Sequence, residues 1–196
     1  MFFNAFVDIL TNYLFSQEFE DEYSNTEPLY IQLGLGYANP SYPLFLQLIV
    51  DDLKNDDGIT NTSMYIDLGL YWHIAPQTII GPNINGVGDR FQDEDENYFQ
   101  MNQYIYGVSV MHYLIRSFGS GVFIRGDAGL AKVISVSDIY GIEYNITSDN
   151  GFGYLVGGGY SFDTDGTRIL LNINYTSHSV EDYDYSSVNV GVNFLF

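Results

Sequence analysis

The chain has 196 residues, with 6 Lys and Arg against 25 Asp and Glu, for a formal charge of -19 at pH 7. That length suits one domain, and that charge repels a phosphate backbone, which argues against nucleic acid as a partner. No run of eighteen apolar residues is present to cross a bilayer as a helix. With Cys 0, neither a disulfide framework nor thiolate chemistry is available.

In chain order, residues 1–16 (MFFNAFVDILTNYLFS) form a short amphipathic segment with Phe2, Phe3, Phe6, Ile9, Leu10 and Leu14 broadly on one side. No Lys or Arg precedes Lys54, so the basic n-region of an export signal is missing. Residues 1–28 are read either as the remnant of such a signal or as a short interfacial helix at the rim of the domain that follows.

From Leu29 onward the pattern is regular, and the aromatic share of 17%, with Tyr 18, Phe 14 and Gly 20, favours strands and turns over helices. Eight strands are predicted: Leu29 to Asn39, Met64 to Ile74, Gln77 to Val87, Tyr98 to Tyr113, Gly121 to Ser135, Phe152 to Phe162, Thr167 to Ser177 and Tyr185 to Phe196. Each has the roughly 9–11 residues that a tilted strand needs to cross a membrane. The connections after the first, third, fifth and seventh strands (40–63, 88–97, 136–151 and 178–184) are polar and mostly acidic. The others are tight: Ala75-Pro76, the stretch from Arg116 to Ser120, and Asp163-Thr164-Asp165-Gly166 with its Asp-Gly turn signal. This asymmetry is expected of bacterial barrels and puts both termini on the short-turn side.

Strand parity separates a membrane barrel from a soluble one. The last predicted strand sets Val188, Val190, Val192, Phe194 and Phe196 against Asn189, Gly191, Asn193 and Leu195. The second sets Ile66, Leu68, Leu70 and Trp72 against Asp67, Gly69, Tyr71 and His73, and the fifth and seventh behave alike. A ring of eight strands is too narrow to hold the large apolar set, so that face points outward, where lipid tolerates it. The fold expected over 29–196 is all-β: an eight-stranded antiparallel up-and-down transmembrane β-barrel with a polar, plugged interior, in an outer membrane.

The ending Asn189-Val190-Gly191-Val192-Asn193-Phe194-Leu195-Phe196 resembles the C-terminal signal by which barrel assembly machinery recognises outer-membrane proteins; Asn189, Gly191, Phe194 and Phe196 fill its places. The stretch from Gly151-Phe152-Gly153-Tyr154 to Gly157-Gly158-Gly159-Tyr160, with the two strands after it, looks like the small eight-stranded outer-membrane β-barrel family of the OmpX/OmpA type. The resemblance spans about 29–196 in layout, its specific motifs lie in the C-terminal third, and it implies a fold more than a function.

Inward charges are the first candidate site, because a charge inside a narrow barrel must be paired and hydrogen-bonded. Asp67, Arg125, Asp127 and Arg168 are expected to form one lumen network, either as a proton or ion path or, preferred for so narrow a ring, as a salt-bridged plug. His73, His112 and His178 are too scattered along the strands to share one metal ion, and no catalytic set or cofactor is assigned. Ser177-His178-Ser179 with Glu181 loosely resembles the residues of lipid A deacylase barrels, but adjacent strand residues face opposite sides.

Asp51, Asp52, Asp56, Asp57 and the run Asp93, Glu94, Asp95, Glu96 match no calcium loop and read as a solvated surface that divalent cations could bridge. Gly157 to Gly159 lie mid-strand and relieve crowding rather than hold phosphate. The sequons at Asn61, Asn145 and Asn174 carry no weight. The leading reading is a non-enzymatic barrel in outer-membrane lipid, acting through its acidic loops. The alternatives are a lipid-modifying enzyme, a soluble ligand-binding barrel and a narrow pore.

Overall fold

The computed structural model describes residues 29–114, 118–164 and 166–196, so both readings of residues 1–28 lie outside the described residues. The elements in chain order are β1 (Tyr30–Ser41), α1 (Leu44–Lys54), β2 (Thr60–Ala75), β3 (Thr78–Gln92), β4 (Tyr98–Tyr113), β5 (Gly121–Ile139), β6 (Ile142–Thr147), β7 (Gly151–Thr164), β8 (Thr167–Val180) and β9 (Tyr183–Leu195). Neighbours pair antiparallel, β5 pairs β4 and β7, and β9 pairs both β8 and β1. The ring is thus a closed eight-stranded barrel with no free edge. The ninth strand, β6, stands outside it as a flap hydrogen-bonded to the far end of β5, from Ile134 to Ile139.

The period-two pattern dictates this architecture, since alternate residues must take opposite sides of the wall. Along β9, Val188, Val190, Val192, Phe194 and Phe196 are exposed outward while Asn189, Asn193 and Leu195 are buried inside. Outward aromatics mark two levels. Tyr37, Tyr106, Tyr154 and Tyr175 lie towards the long-connection end, and Trp72, Tyr160, Phe162, Phe194 and Phe196 towards the short-turn end. Between them the wall shows Leu33, Leu35, Leu68, Leu70, Ile173 and Val190. An apolar band between aromatic girdles is the lipid-facing surface of a membrane barrel.

Three expectations need correction at the long-connection end. The polar loop 40–63 contains the helix α1, because its apolar run LFLQLIV finds a seat on the barrel mouth. The loop 136–151 is mostly sheet, the end of β5 folding back as β6 through a two-residue turn at Tyr140 (φ 54°) and Gly141 (φ 78°). The connection 178–184 shrinks to a two-residue turn, Glu181 (φ 52°) and Asp182 (φ 65°), since β8 and β9 keep pairing beyond the lipid band as far as Val180 and Tyr183. Paired left-handed residues suit such hairpins by matching the twist of the strands. The asymmetry between the two ends therefore resides in strands that overrun the bilayer as much as in loop length.

Candidate functional site

The lumen is filled in layers. Nearest the short turns, Tyr30, Tyr71, Ile79, Met111, Tyr113, Phe123, Leu170 and Leu195 pack into an apolar floor, with Phe118 against it. Above it lies a charged layer. The guanidinium of Arg125 donates through Nη2 to Asp67 Oδ1 (2.9 Å) and through Nη1 to Asp67 Oδ2. Its Nε and Nη2 donate to Asp127 Oδ1 (2.9 Å) and Oδ2 (2.8 Å), and Nε also reaches Ser109 Oγ (3.1 Å). The remaining carboxylate lone pairs are taken by side-chain amides. Gln32 and Asn193 donate to Asp67 Oδ2 (2.6 Å each), and Asn83 (2.9 Å) and Asn85 (2.7 Å) donate to Asp127 Oδ2. The three charged side chains are at most 1% exposed.

A charge cluster this dry persists because its charged groups are matched, while the amide oxygens of Gln32, Asn83 and Asn193 around it are buried without a partner. Six strands of the ring contribute to it, so the network also ties the wall together across its diameter. Arg168 stands apart from it. At the start of β8 it lies beside the floor, its guanidinium over the rings of Tyr30 (5.0 Å) and Phe118 (4.7 Å), a cation–π setting instead of an ion pair. It faces the lumen, but parity does not tell how far along the barrel axis a residue lies.

No protein-family model matches the chain. No curated protein matches it. Among solved structures, it is similar to Ail, the attachment invasion locus protein of Yersinia pestis, crystallised in complex with the heparin analogue sucrose octasulfate: 10% identity, TM-score 0.55, covering 87% of this chain and 100% of that one. The backbone structure of Ail in a phospholipid bilayer nanodisc aligns at 12% identity and TM-score 0.50, with the same coverage. Neisserial surface protein A aligns at 16% identity and TM-score 0.48, covering 84% and 95%. The fold is that of the small outer-membrane β-barrels. The outward apolar band and this fold together place the barrel in a bacterial outer membrane.

The long-connection end of the barrel is closed by a third layer. Tyr42, Val50, Phe91, Met101, Ala131, Val133, Val180 and Tyr185 form an apolar cap, with Leu46 and Leu53 of α1 and Ile59 and Phe99 packed against it. Leu46, Val50 and Leu53 share a helix face at i, i+4 and i+7. Tyr42 pins the connection down, donating to Asp89 Oδ2 at 2.6 Å, while Asn61 (2.7 Å) and Ser63 (2.6 Å) donate to Asp89 Oδ1. Burial, then the charge of Asp89 and the bond to it, push the Tyr42 phenol far above its ordinary range, so it stays a donor at every physiological pH. Tyr42→Phe is expected to lower stability by about 1.5 kcal/mol, the scale of a bond to a charged group, read from urea unfolding of the refolded barrel.

Around this cap stand the carboxylates. Asp51, Asp52, Asp56, Asp57, Glu94, Asp95, Glu96, Glu143, Asp149, Glu181, Asp182 and Asp184 are all exposed at the same end. Lys54 is the one basic residue in these described connections. Among the described residues, no three His, Asp or Glu side chains come close enough to hold a metal ion.

The histidines do not converge. His73 reaches Tyr30 Oη (3.2 Å) and Ala75 O (3.3 Å) near the floor. His112 shares a hydrogen bond with Thr78 Oγ1 (2.9 Å) near the short turns, with no carboxylate joining them among the described residues. His178 points inward and is 1% exposed, whereas Ser177 and Ser179 face out, and Glu181 Oε1 accepts from the backbone of Asp149 (2.8 Å). The deacylase-like set is therefore not assembled.

Of the terminal-strand residues, Asn189 is buried and bonded to Ser187 (2.7 Å) and Thr176 (3.3 Å), Gly191 faces the lumen, and Phe194 and Phe196 face lipid on the strand that closes the ring. Gly157 to Gly159 lie within β7, where a Cβ on Gly158 would meet Phe123 O at 2.6 Å, a close approach that only glycine permits. The Tyr42 to Asp89 anchor and the cap escaped sequence reasoning. The signal for α1 was present in residues 44–53, whose apolar positions recur at helical spacing inside a stretch otherwise read as polar.

Proposed function

We propose that this outer-membrane barrel is a non-enzymatic surface protein whose outward crown docks a basic partner carrying apolar side chains, the barrel serving as anchor and scaffold. The observation that carries the reading is the second face of α1. Leu44, Phe45, Leu48 and Ile49 are 79%, 51%, 63% and 54% exposed, opposite the face that seats on the barrel, and they sit within the ring of carboxylates. The tip of the β5–β6 flap adds Ile139, Tyr140, Ile142 and Tyr144, also exposed. Exposed apolar surface rimmed by charge is the usual mark of an interaction site.

The three-layer filling of the lumen favours this reading over a pore, which needs a continuous water path. The Yersinia pestis neighbour was crystallised with a polysulfated sugar. The carboxylate ring here repels such an anion, which directs the reading to a basic partner. Divalent cations fit only as diffuse bridges between these carboxylates, and β9 is the element through which barrel assembly machinery would take up the chain.

A fluorescent basic amphipathic peptide of Lys and Leu, titrated against the protein in nanodiscs with empty nanodiscs as control, tests this. Binding above the control that weakens with salt, and weakens about tenfold in Leu44→Ser/Leu48→Ser, is the expected result. Equal binding to the variant and to the natural sequence removes the helix from the docking surface.

A further inference from the structure

The outer wall carries a groove of about 310 Å³ between β2, β3 and β4, on the half nearer the crown. Its floor is Gly88 of β3, which leaves the wall without a side chain, while the side chains of Ile66 and Tyr104 lean over Gly86, 2.7 and 3.1 Å from where a Cβ would stand. Met64 and Ile66 pair with those glycines on one side, Asn102 and Tyr104 on the other. One pair further towards the crown, Arg90 closes the groove between Thr62 and Gln100. Even-numbered residues of these three strands face outward, since Asp67, Asp89 and Met101 are inside. The groove therefore opens on the outer face of the wall, and not to the lumen.

Its polarity is graded along the barrel axis. The lower part, at Ile66 and Tyr104, meets the upper edge of the apolar band, where Tyr104 lies beside Tyr106 of the upper girdle, 5.9 Å between ring centroids. The upper part is polar and ends in a cation at the level where headgroups begin. The Arg90 guanidinium carbon lies over the ring of Tyr98, 4.0 Å from its centroid, and its buried Nε has no hydrogen-bond partner. Among the described residues the ion pairs belong to Arg125, and Arg90 makes none, in a chain with 25 carboxylates. Lys132 pairs across from Tyr104 on the same outward face. Arg90 and Lys132 are the two basic residues on the described outer wall, and both flank this groove.

A cleft that is apolar below, polar above and capped by an unpaired guanidinium matches one acyl chain beneath a phosphate. We infer that the groove binds a lipid A-type phosphoglycolipid of the outward-facing leaflet, an acyl chain lying over Gly88 against Ile66 and Tyr104 and a sugar phosphate on Arg90. The hydroxyl of Thr62 and the amides of Gln100 and Asn102 beside Arg90 suit sugar hydroxyls, which favours the glycolipid over a glycerophospholipid.

The test is native mass spectrometry of the full chain in detergent micelles, titrated with hexa-acylated lipid A and separately with phosphatidylglycerol. Arg90→Gln removes the cation. Gly88→Leu fills the floor, where a Cβ meets Asn102 Oδ1 at 3.2 Å, a tight contact with a side-chain tip that relieves it by shifting a few tenths of an ångström. Heat-modifiable gel mobility establishes that both variants fold. Lipid A should stay bound to the natural sequence at concentrations where each variant has lost about tenfold in occupancy, and phosphatidylglycerol should bind more weakly. Equal lipid A occupancy in all three proteins overturns the site. Loss in Arg90→Gln alone reduces it to a surface charge contact, loss in Gly88→Leu alone removes the phosphate, and equal binding of phosphatidylglycerol removes the glycolipid; each outcome overturns the inference.

Discussion

Replacing Arg125 with Met is expected to cost about 3–5 kcal/mol, the penalty for leaving one side of a buried ion pair without its partner. The size follows from the geometry: Asp67 and Asp127 are 0% exposed and each receives two of its hydrogen bonds from this one guanidinium. The amides of Gln32, Asn83, Asn85 and Asn193 would remain, but four neutral donors do not offset two like charges brought together out of water. Removing the carboxylates as well separates this cause from simple loss of packing. The triple variant Asp67→Asn/Arg125→Met/Asp127→Asn should recover more than half of the lost stability, a large departure from additivity for residues in one network. Urea unfolding of the refolded proteins, followed by tryptophan fluorescence from Trp72, reads both. A single variant as stable as the natural sequence, or a triple variant no better than the single, would sink the account of the network as a structural plug.

Strand parity was legible because a narrow wall imposes it. Asp67, Arg125 and Asp127 carry opposite parity to Ile66, Leu68 and Ile124 in the sequence, and the barrel puts the two groups on opposite sides. The span of β4, Tyr98–Tyr113, is readable for the same reason, since its alternation runs unbroken between two turns. Height along the axis was not legible. Arg125 and Arg168 have the same inward sense, and only the packing, which sets Arg168 over Tyr30 and Phe118 and Arg125 between Asp67 and Asp127, separates floor from charged layer.

The ends of strands were the weakest part. Ending the third strand at Val87 assigned Gly88, Asp89 and Arg90 to a loop, although β3 continues to Gln92. That one error hid both the anchor at Asp89 and the groove at Arg90. It arose because the outward positions there are Gly88, Arg90 and Gln92, so the apolar alternation that marks a strand fades before the hydrogen bonding does. The same fading hid β6, whose six residues are all exposed.

Two glycines that look alike in sequence are expected to respond in opposite directions. Gly81→Ala should be among the most damaging small substitutions in the barrel. Its Cβ would overlap the carbonyl oxygen of Leu70 and lie 2.7 Å from the carbonyl carbon, and a backbone cannot turn aside as a side-chain tip can. The neighbouring residue is Pro82, which has no N–H for the sheet, and no paired residues join β2 to β3 between Gly69↔Asn83 and Trp72↔Ile80. Any shift there is transmitted to Tyr71 and Ile79 in the floor. A loss of about 3 kcal/mol follows, at the upper end for overpacking.

Gly126 lies on the outer face, between the inward Arg125 and Asp127, and a Cβ there meets nothing within 4 Å. Gly126→Ala should therefore gain about 0.5–1 kcal/mol, the entropy that a strand glycine gives up on folding. The difference between the variants, about 3.5–4 kcal/mol by these estimates, is read from their urea midpoints in the same lipid. If Gly81→Ala folds with the natural midpoint, the close approach of β2 and β3 is not a constraint. If Gly126→Ala is destabilised, the open outward face assigned to β5 at that position is wrong.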